Sequence, residues 1–316
     1  MSETQVMEAT PIQPKVSICV ITYNQERYIG ECLQSLVDQK TTFPFDIVVG
    51  DDCSTDGTQA IVASFAKKYP GIVKPIFMEV NSRGLKNYLN THNAAKGEYV
   101  AHMDGDDYAL PGKIQAQADA LDRMPLCNAV WHRVDFFDDA GRFCSGNTAD
   151  LSMFSNGDVS FSQAIRLGFV GVHSSLMYRR TSREVLPLDR KVMDLYLTWD
   201  LLSKGGGHIL SGVFGRYRVA STGSLTVKSL KNVRQISIEH ATHFLHGSPE
   251  QRSSFFLWAV SNAVVDAKNL RWTTLDFLRF AARHFAWVSP QRIVGNLSEM
   301  RRTQVQWGRM MSDSRN

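Results

Sequence analysis

The chain has 316 residues, 43% of them hydrophobic and 21% charged, with a formal net charge of +4. That balance excludes a disordered or fibrous chain and allows one large globular domain with an appendage. There is no run of 18 apolar residues to span a bilayer, and no helix-turn-helix, zinc-ligand or RNA-binding aromatic pattern, so no nucleic-acid partner is expected.

Residues 1–14 are polar, lack the basic-then-apolar order of a leader, and read as a flexible tail. VSICVIT, residues 16–22, predicts a buried strand. Residues 28–39 follow with Ile29, Cys32, Leu33, Leu36 and Val37 at helical spacing. DIVVG (46–50) predicts a second strand, and the turn DDCSTDG leads into a helix carrying Ile61, Val62, Phe65 and Tyr69. Residues 72–79 predict a third strand, 84–96 a helix, and Tyr99, Val100, Ala101 and Met103 a fourth strand. Strand–helix alternation with short loops predicts an α/β fold with a doubly wound, mostly parallel sheet.

Further on, a helix from Pro111 to about Met124 precedes a strand over 129–137 and a turn-rich excursion over 138–158. Ser160 is placed to cap a short helix, SSLMYR (174–179) predicts a strand, and 194–204 predicts a helix stopped by Gly205, Gly206 and Gly207. From about Ser229 the periodicity is helical. The five cysteines form no C-x-x-C pair, which predicts reduced thiols in a protein of the cytoplasm or its membrane face.

The fourth strand ends in GEYVAHMDGDDYALPGK, with Asp104, Asp106 and Asp107 inside four positions. Crowded carboxylates at a strand end repel and are costly to keep ionised. In open parallel sheets ligands sit beyond the carboxyl ends of the strands, and two other strands here also end in polar residues, at Thr22-Tyr23-Asn24 and Asp51-Asp52. Side chains two apart in extended chain point the same way, so Asp104 and Asp106 converge on one ligand, with Gly105 allowing close approach. Mg²⁺ or Mn²⁺ bound to a diphosphate would relieve the charge crowding. A solvated acidic turn is the plain alternative for an isolated D-x-D.

VSICVITYNQERYIGECLQSLVDQ, DIVVGDDCSTDGT and GEYVAHMDGDDYALPGKI, in that order, resemble the successive signatures of family 2 glycosyltransferases with the GT-A fold, of the kind that build bacterial surface polysaccharide. MDLYLTWDLLSKGG and YRVASTGSLT are similar to later segments of that family, so the resemblance covers about residues 15–226. It implies a GT-A domain over 15–226 and a C-terminal helical region over 227–316. It further implies an inverting transfer of sugar from a nucleotide-sugar donor, a UDP-sugar, to a hydroxyl of a glycan or lipid-linked acceptor.

By position, the resemblance sets Thr22, Tyr23 and Asn24 beside the nucleotide, Asp51 or Asp52 on the uracil N3–H, and Arg83 over the nucleotide. Asp104 would touch ribose or metal, Asp106 would ligate Mn²⁺ or Mg²⁺, and Asp107 would orient the others. Asp194 matches the family's base, although Met193 and Leu195 depart from the usual flanking residues. Asp200, the rival base, reads as a surface residue in mid-helix. Tyr217 and Arg218 would close over the diphosphate as a mobile loop. A non-catalytic nucleotide-sugar-binding subunit is the alternative, and it would lack a working base. A nucleotidyltransferase would carry a glycine- and lysine-rich phosphate loop, which VITYNQERY lacks.

His102 and His132 read as packed core, as does His173, which also has a place at the acceptor border. Trp199, Phe255, Phe256 and Trp258 likewise read as core. From Lys268 onward nine Lys or Arg face three acids, a local +6, and NLRWTTLDFLRFAARHFAWVS interleaves arginines with aromatic residues. Such a stretch suits either a helix packed with its arginines outward or a peripheral contact with an anionic membrane.

Overall fold

The computed structural model describes residues 13–82, 84–146, 151–168, 170–185, 194–219, 230–245 and 247–300. Residues 1–12 of the expected tail over 1–14, and Arg83 with its expected role, lie outside these residues. The N-terminal half alternates as the sequence predicts: β1 (Val16–Thr22), α1 (Ile29–Val37), β2 (Phe45–Asp51), α2 (Thr58–Lys68), β3 (Val73–Phe77), α3 (Leu85–Ala94) and β4 (Tyr99–Asp104). β5 (Tyr108–Ala109), α4 (Lys113–Arg123), β6 (Cys127–Phe137), β7 (Phe143–Gly146), β8 (Asp158–Val159), α5 (Phe161–Leu167) and β9 (Met177–Arg179) follow. The chain continues through α6 (Asp194–Ser203), β10 (Gly206–Arg218), α7 (Leu230–Phe244), α8 (Pro249–Lys268) and α9 (Thr273–Arg283).

The strands form one sheet in the order β3-β2-β1-β4-β9-β6-β10-β5, with β7 on β6 and β8 on β10. β3, β2, β1 and β4 are mutually parallel, which aligns their carboxyl ends along one edge. β9 is antiparallel to both β4 and β6, so β6 runs in the direction of β4. This places the turn before β9 beside the acidic end of β4.

Apolar runs buried on both faces explain the parallel half. Ile18 and Val20 of β1, Ile47 and Val49 of β2 and Tyr99, Ala101 and Met103 of β4 meet the buried face of α1, formed by Ile29, Cys32, Leu33 and Leu36. Each such aliphatic side chain contributes about 1.5–3 kcal/mol on full burial. On the other face Val100 and Trp131 share a cluster with Trp199 of α6, Phe255 and Trp258 of α8 and Phe277 of α9. The C-terminal helices thus complete the core of the sheet. Ser160 caps α5 in a capping box with Gln163, as its position predicts.

β10 departs from the sequence reading. The helix ends at Ser203, before the glycines as expected, but Gly206 and Gly207 also open a 13-residue strand paired with β6 that the sequence reading did not foresee. Register shifts at Gly206/Gly207, Leu210/Val213 and Val213/Gly215 break its alternation, so no clean period of two reaches the sequence. Tyr217 and Arg218, expected in a mobile loop, are its last residues.

The basic C-terminal stretch divides between two roles. Phe277 and Phe280 of α9 are buried, whereas Leu275, Leu278, Phe285 and Trp287 are exposed. Among the described residues no helix is long and apolar enough to cross a membrane.

Candidate active site

β1 ends in a turn held by its own side chains. Thr22 is buried and its hydroxyl donates to Gln25 Oε1 at 2.8 Å. It therefore supports the turn, while Tyr23 and Asn24 are exposed. Asn24 has φ 51°, a left-handed conformation asparagine tolerates, and its Oδ1 accepts the Thr55 N–H at 2.8 Å.

Asp51 and Asp52, at the end of β2, are both buried. Asp51 Oδ1 accepts from Ser54 N–H at 2.9 Å and Gln59 Nε2 at 2.6 Å, and Oδ2 accepts the Ser54 hydroxyl. Asp52 Oδ1 accepts the Ser82 N–H and hydroxyl at 2.9 and 2.7 Å, and Oδ2 accepts the Gly84 N–H at 2.7 Å. A carboxylate offers about four lone-pair sites, and donors from the described residues fill three on each. Asp51 shapes the turn into α2, and Asp52 ties down the loop that leads to α3.

The acidic cluster is divided by environment. Asp107 is 2% exposed and turned inward: its Oδ2 accepts the Ser174 hydroxyl at 2.5 Å and its Oδ1 the Arg218 N–H at 2.7 Å. Burial, and then the charges of Asp106 and Asp104, push its pKa well up. Beneath it Lys113, wholly buried, donates from Nζ to the Ser174 carbonyl at 2.5 Å, and burial pushes its pKa down to about 8. Asp104 lies half-exposed at the strand end, with Oδ1 3.0 Å from His102 Nε2 and Oδ2 3.3 Å from the Ser174 oxygen. Its carboxyl is also raised, chiefly by burial, with His173 acting against this and Asp194 adding to it. Asp106 is half-buried beside it. Gly105 between them packs closely on the first turn: a Cβ there would come within 2.4 Å of Gln25 Oε1 and 3.0 Å of Thr22, displacing the Gln25 side chain.

These residues fit a hard divalent cation. The Ser174 hydroxyl lies closer to Asp107 Oδ2, at 2.5 Å, than to Asp104 Oδ2, at 3.3 Å. Asp104, with its side chain 37% exposed, and the half-buried Asp106 are the two carboxylates that reach solvent at this strand end. Among the described residues no group of three or more His, Cys, Asp or Glu is arranged to hold a metal unaided. Two carboxylates suit an ion whose remaining oxygens come from a diphosphate and water. Asp107, committed inward, supports the pair.

Behind Asp104 a buried chain runs into the core. His102 Nδ1 lies 2.9 Å from His92 Nε2, and His92 Nδ1 lies 2.8 Å from the Tyr178 hydroxyl. Burial holds both imidazoles well below their ordinary pKa, hence neutral. With Asp104 ionised and able only to accept, His102 carries its proton on Nε2, His92 on Nε2, and Tyr178 donates. His102 and His92 thus do more than pack.

Asp194 opens α6, where the helix N-terminus favours negative charge. His173 Nδ1 lies 3.1 Å from its Oδ1. Desolvation acts to raise the Asp194 carboxyl, but its side chain is 75% exposed, and the charge and hydrogen bond of His173 prevail and hold it at about 2. Burial would lower the His173 imidazole; Asp194, by charge and hydrogen bond, and then Asp104 reverse this and raise it. His173 and Ser174 occupy one 3₁₀ turn, His173–Ser175, just before β9. That turn therefore holds Asp194 with one residue and Asp104 and Asp107 with the next, a convergence the sequence does not display.

Two expectations need correction. Asp200 is a buried anchor, accepting the Glu184 N–H at 2.8 Å and pairing with Lys204 Nζ at 2.5 Å. Arg218 is also fixed, lying 4.4 Å from the ring centroid of Tyr28 and 4.3 Å from that of Phe137. Its Nε donates to the Asp106 carbonyl at 3.0 Å, and its guanidinium lies 3.3 Å from Glu31 and 3.5 Å from Asp139. It braces the acidic turn from behind, because a guanidinium between two rings and two carboxylates has little freedom to swing.

Known proteins share this architecture. The crystal structure of Staphylococcus aureus TarS 1-349 in complex with UDP-GlcNAc superimposes with a TM-score of 0.64 at 22% identity, over 95% of this chain and 89% of that one. The Pyrobaculum calidifontis mannosyltransferase PcManGT, in complex with GDP-Man and Mn²⁺, does so at 0.55 and 18% identity, over 96% and 85%. An uncharacterized protein of Mycobacterium tuberculosis is 33% identical over 184 residues, 58% of this chain and 52% of that protein. The chain thus spans about half the length of the first curated relatives it matches. The poly(ribitol-phosphate) beta-N-acetylglucosaminyltransferase TarS of S. aureus is 44% identical over 98 residues, 30% of this chain and 16% of TarS. The fold is the expected GT-A fold. The family model for Glycosyl transferase family 2 matches residues 17–186, more than half of the sequence, and the chain belongs to that family.

Proposed function

We propose that the protein is an inverting glycosyltransferase, dependent on Mn²⁺ or Mg²⁺, that moves a sugar from a UDP-sugar to a hydroxyl of a bacterial surface glycan or its lipid-linked precursor. The observation that carries this reading is the single turn, His173–Ser175, that serves both Asp194 and the acidic end of β4. The S. aureus relative named for a poly(ribitol-phosphate) acceptor and crystallised with UDP-GlcNAc supports the choice of donor and acceptor class.

Asp104 and Asp106 would hold the cation. When bound it supplies positive charge to the departing diphosphate, which gains negative charge as the glycosidic bond breaks. Tyr23 and Asn24 border the nucleotide, and Asp51 or Asp52 takes the uracil N3–H on its remaining lone pair. Asp194 accepts the proton of the attacking hydroxyl through Oδ2, while Oδ1 stays on His173. A pKa near 2 makes Asp194 a weak base at neutral pH, always ready to accept, so it acts as the hydroxyl proton becomes acidic during attack.

Exposed Leu270, Trp272, Leu275, Leu278, Phe285 and Trp287 accompany Arg271, Arg279 and Arg283 around α9. We assign this region to an anionic lipid surface at the cytoplasmic face, where a lipid-linked acceptor would be presented. Sedimentation with anionic vesicles but not neutral ones is expected, and equal behaviour with both excludes the assignment.

A thermal-shift panel of nucleotide sugars with and without Mn²⁺ tests the donor. Ligands that bind the native state raise the melting point by mass action, so a UDP-sugar with Mn²⁺ should raise it most. A wild-type protein that binds the donor but never releases UDP in the presence of any acceptor would instead be a non-catalytic subunit.

A further inference from the structure

We propose that the stacked imidazoles of His102 and His173 form a brace that fixes the separation between the donor-side carboxylate Asp104 and the acceptor-side carboxylate Asp194. Both histidines are then positioning residues for transfer, an inference that rests on the function proposed above.

The two rings lie 3.7 Å apart, centroid to centroid, at an interplanar angle of 16°. Each gives one nitrogen to a different carboxylate: His102 Nε2 to Asp104 at 3.0 Å and His173 Nδ1 to Asp194 at 3.1 Å. The His102 side chain is buried and that of His173 only 9% exposed, whereas the side chains of Asp104 and Asp194 are 37% and 75% exposed. The pair is also held from outside. His102 is anchored inward through His92 to Tyr178, and Tyr88 packs at 5.6 Å from His173 and 5.7 Å from His102. His173 is fixed by its turn, closed by the Ser175 hydroxyl on the Val172 carbonyl at 2.7 Å. His173 Nε2 has no hydrogen-bond partner among the described residues, so stacking and Asp194 set the plane of the ring.

Asp104 lies on β4 and Asp194 on α6, elements far apart in sequence. Without a rigid link, the gap between them would follow every small shift of α6 on the sheet. In-line displacement is sensitive to that gap, since a misplacement of about 1 Å costs on the order of 10²-fold in rate. Flat rings in contact resist compression, and their hydrogen bonds resist rotation, so the stack supplies the spacing.

The test uses the full chain with Mn²⁺ and the UDP-sugar chosen by the thermal-shift panel, and reads UDP release and, by calorimetry, UDP affinity. His173→Phe keeps the stack and removes the hydrogen bond. It should lower kcat about 10²-fold and leave UDP–Mn²⁺ affinity unchanged, and His173→Asn, which restores an N–H near the position of Nδ1, should recover part of the loss. His102→Phe should weaken UDP–Mn²⁺ affinity about tenfold and also lower kcat. Because a brace fails once, the double variant should have the kcat of the worse single variant. Losses that multiply, or a folded His173→Phe with wild-type kcat, overturn the proposal. If His102→Phe does not fold, the contrast between His173→Phe and His173→Asn decides alone. Absence of turnover in the wild type defeats the functional reading itself, and the brace with it; turnover in the wild type with no effect at His173 defeats only the brace.

Discussion

The backbone N–H of Arg218 donates to Asp107 Oδ1 at 2.7 Å, tying the end of β10 to the acidic turn after β4. The Arg218 side chain then runs between Tyr28 and Phe137 toward Glu31 and Asp139. Arg218→Met keeps the apolar stem and removes the charge. It should cost about 2–4 kcal/mol, because acids that shared a buried cation lose it together. Urea unfolding measures this; a loss below about 0.5 kcal/mol would show the guanidinium to be dispensable to the turn.

Lys113 gives a prediction in pH. Its folded pKa, about 8, lies below its ordinary 10.5, so between these values the unfolded chain binds more protons than the native one. Stability contributed through this residue therefore rises with pH across that window, by about 3 kcal/mol at about 1.4 kcal/mol per unit. Buried cysteines whose thiols are raised act in the opposite sense above pH 9, so the informative quantity is a difference. Lys113→Met should gain stability over the wild type at pH 7, and the gain should shrink toward pH 10.5. A difference that does not vary with pH contradicts the burial argument.

Asp200 and Asp194 should separate cleanly. Asp200→Ala leaves the Glu184 N–H and Lys204 without their buried acceptor and should cost about 2–4 kcal/mol. Its kcat at a temperature where it is folded should stay within about threefold of wild type. Asp194→Asn should melt near the wild-type temperature, since its side chain is largely exposed, while kcat falls about 10²–10⁴-fold. Chemical denaturation and UDP release, measured on both variants, check this; the reverse pattern would move the base to Asp200.

The parallel half of the fold was legible because β1, β2 and β4 are short apolar runs flanked by amphipathic helices such as α1. The acidic cluster stood out because three aspartates crowd one strand end. β10 was not legible: its glycines sit at register shifts, and a strand with broken alternation carries no period to read. Asp200 misled for a different reason. A lone acid in mid-helix looks solvated until the Glu184 N–H and Lys204 are seen against it. The meeting of His173, Ser174, Asp104 and Asp194 depends on β9 entering antiparallel between β4 and β6, a pairing with no local signature.

We propose Asp104 and Asp106 as the residues that hold a divalent cation and, through it, a nucleoside diphosphate. Calorimetric titration of UDP into wild type and Asp106→Asn, each with Mn²⁺ and with EDTA, tests it most directly. Binding to the wild type should weaken at least tenfold in EDTA, and Asp106→Asn should bind as weakly in Mn²⁺ as the wild type does in EDTA. Equal affinity in all four titrations, with the variant folded, would contradict it.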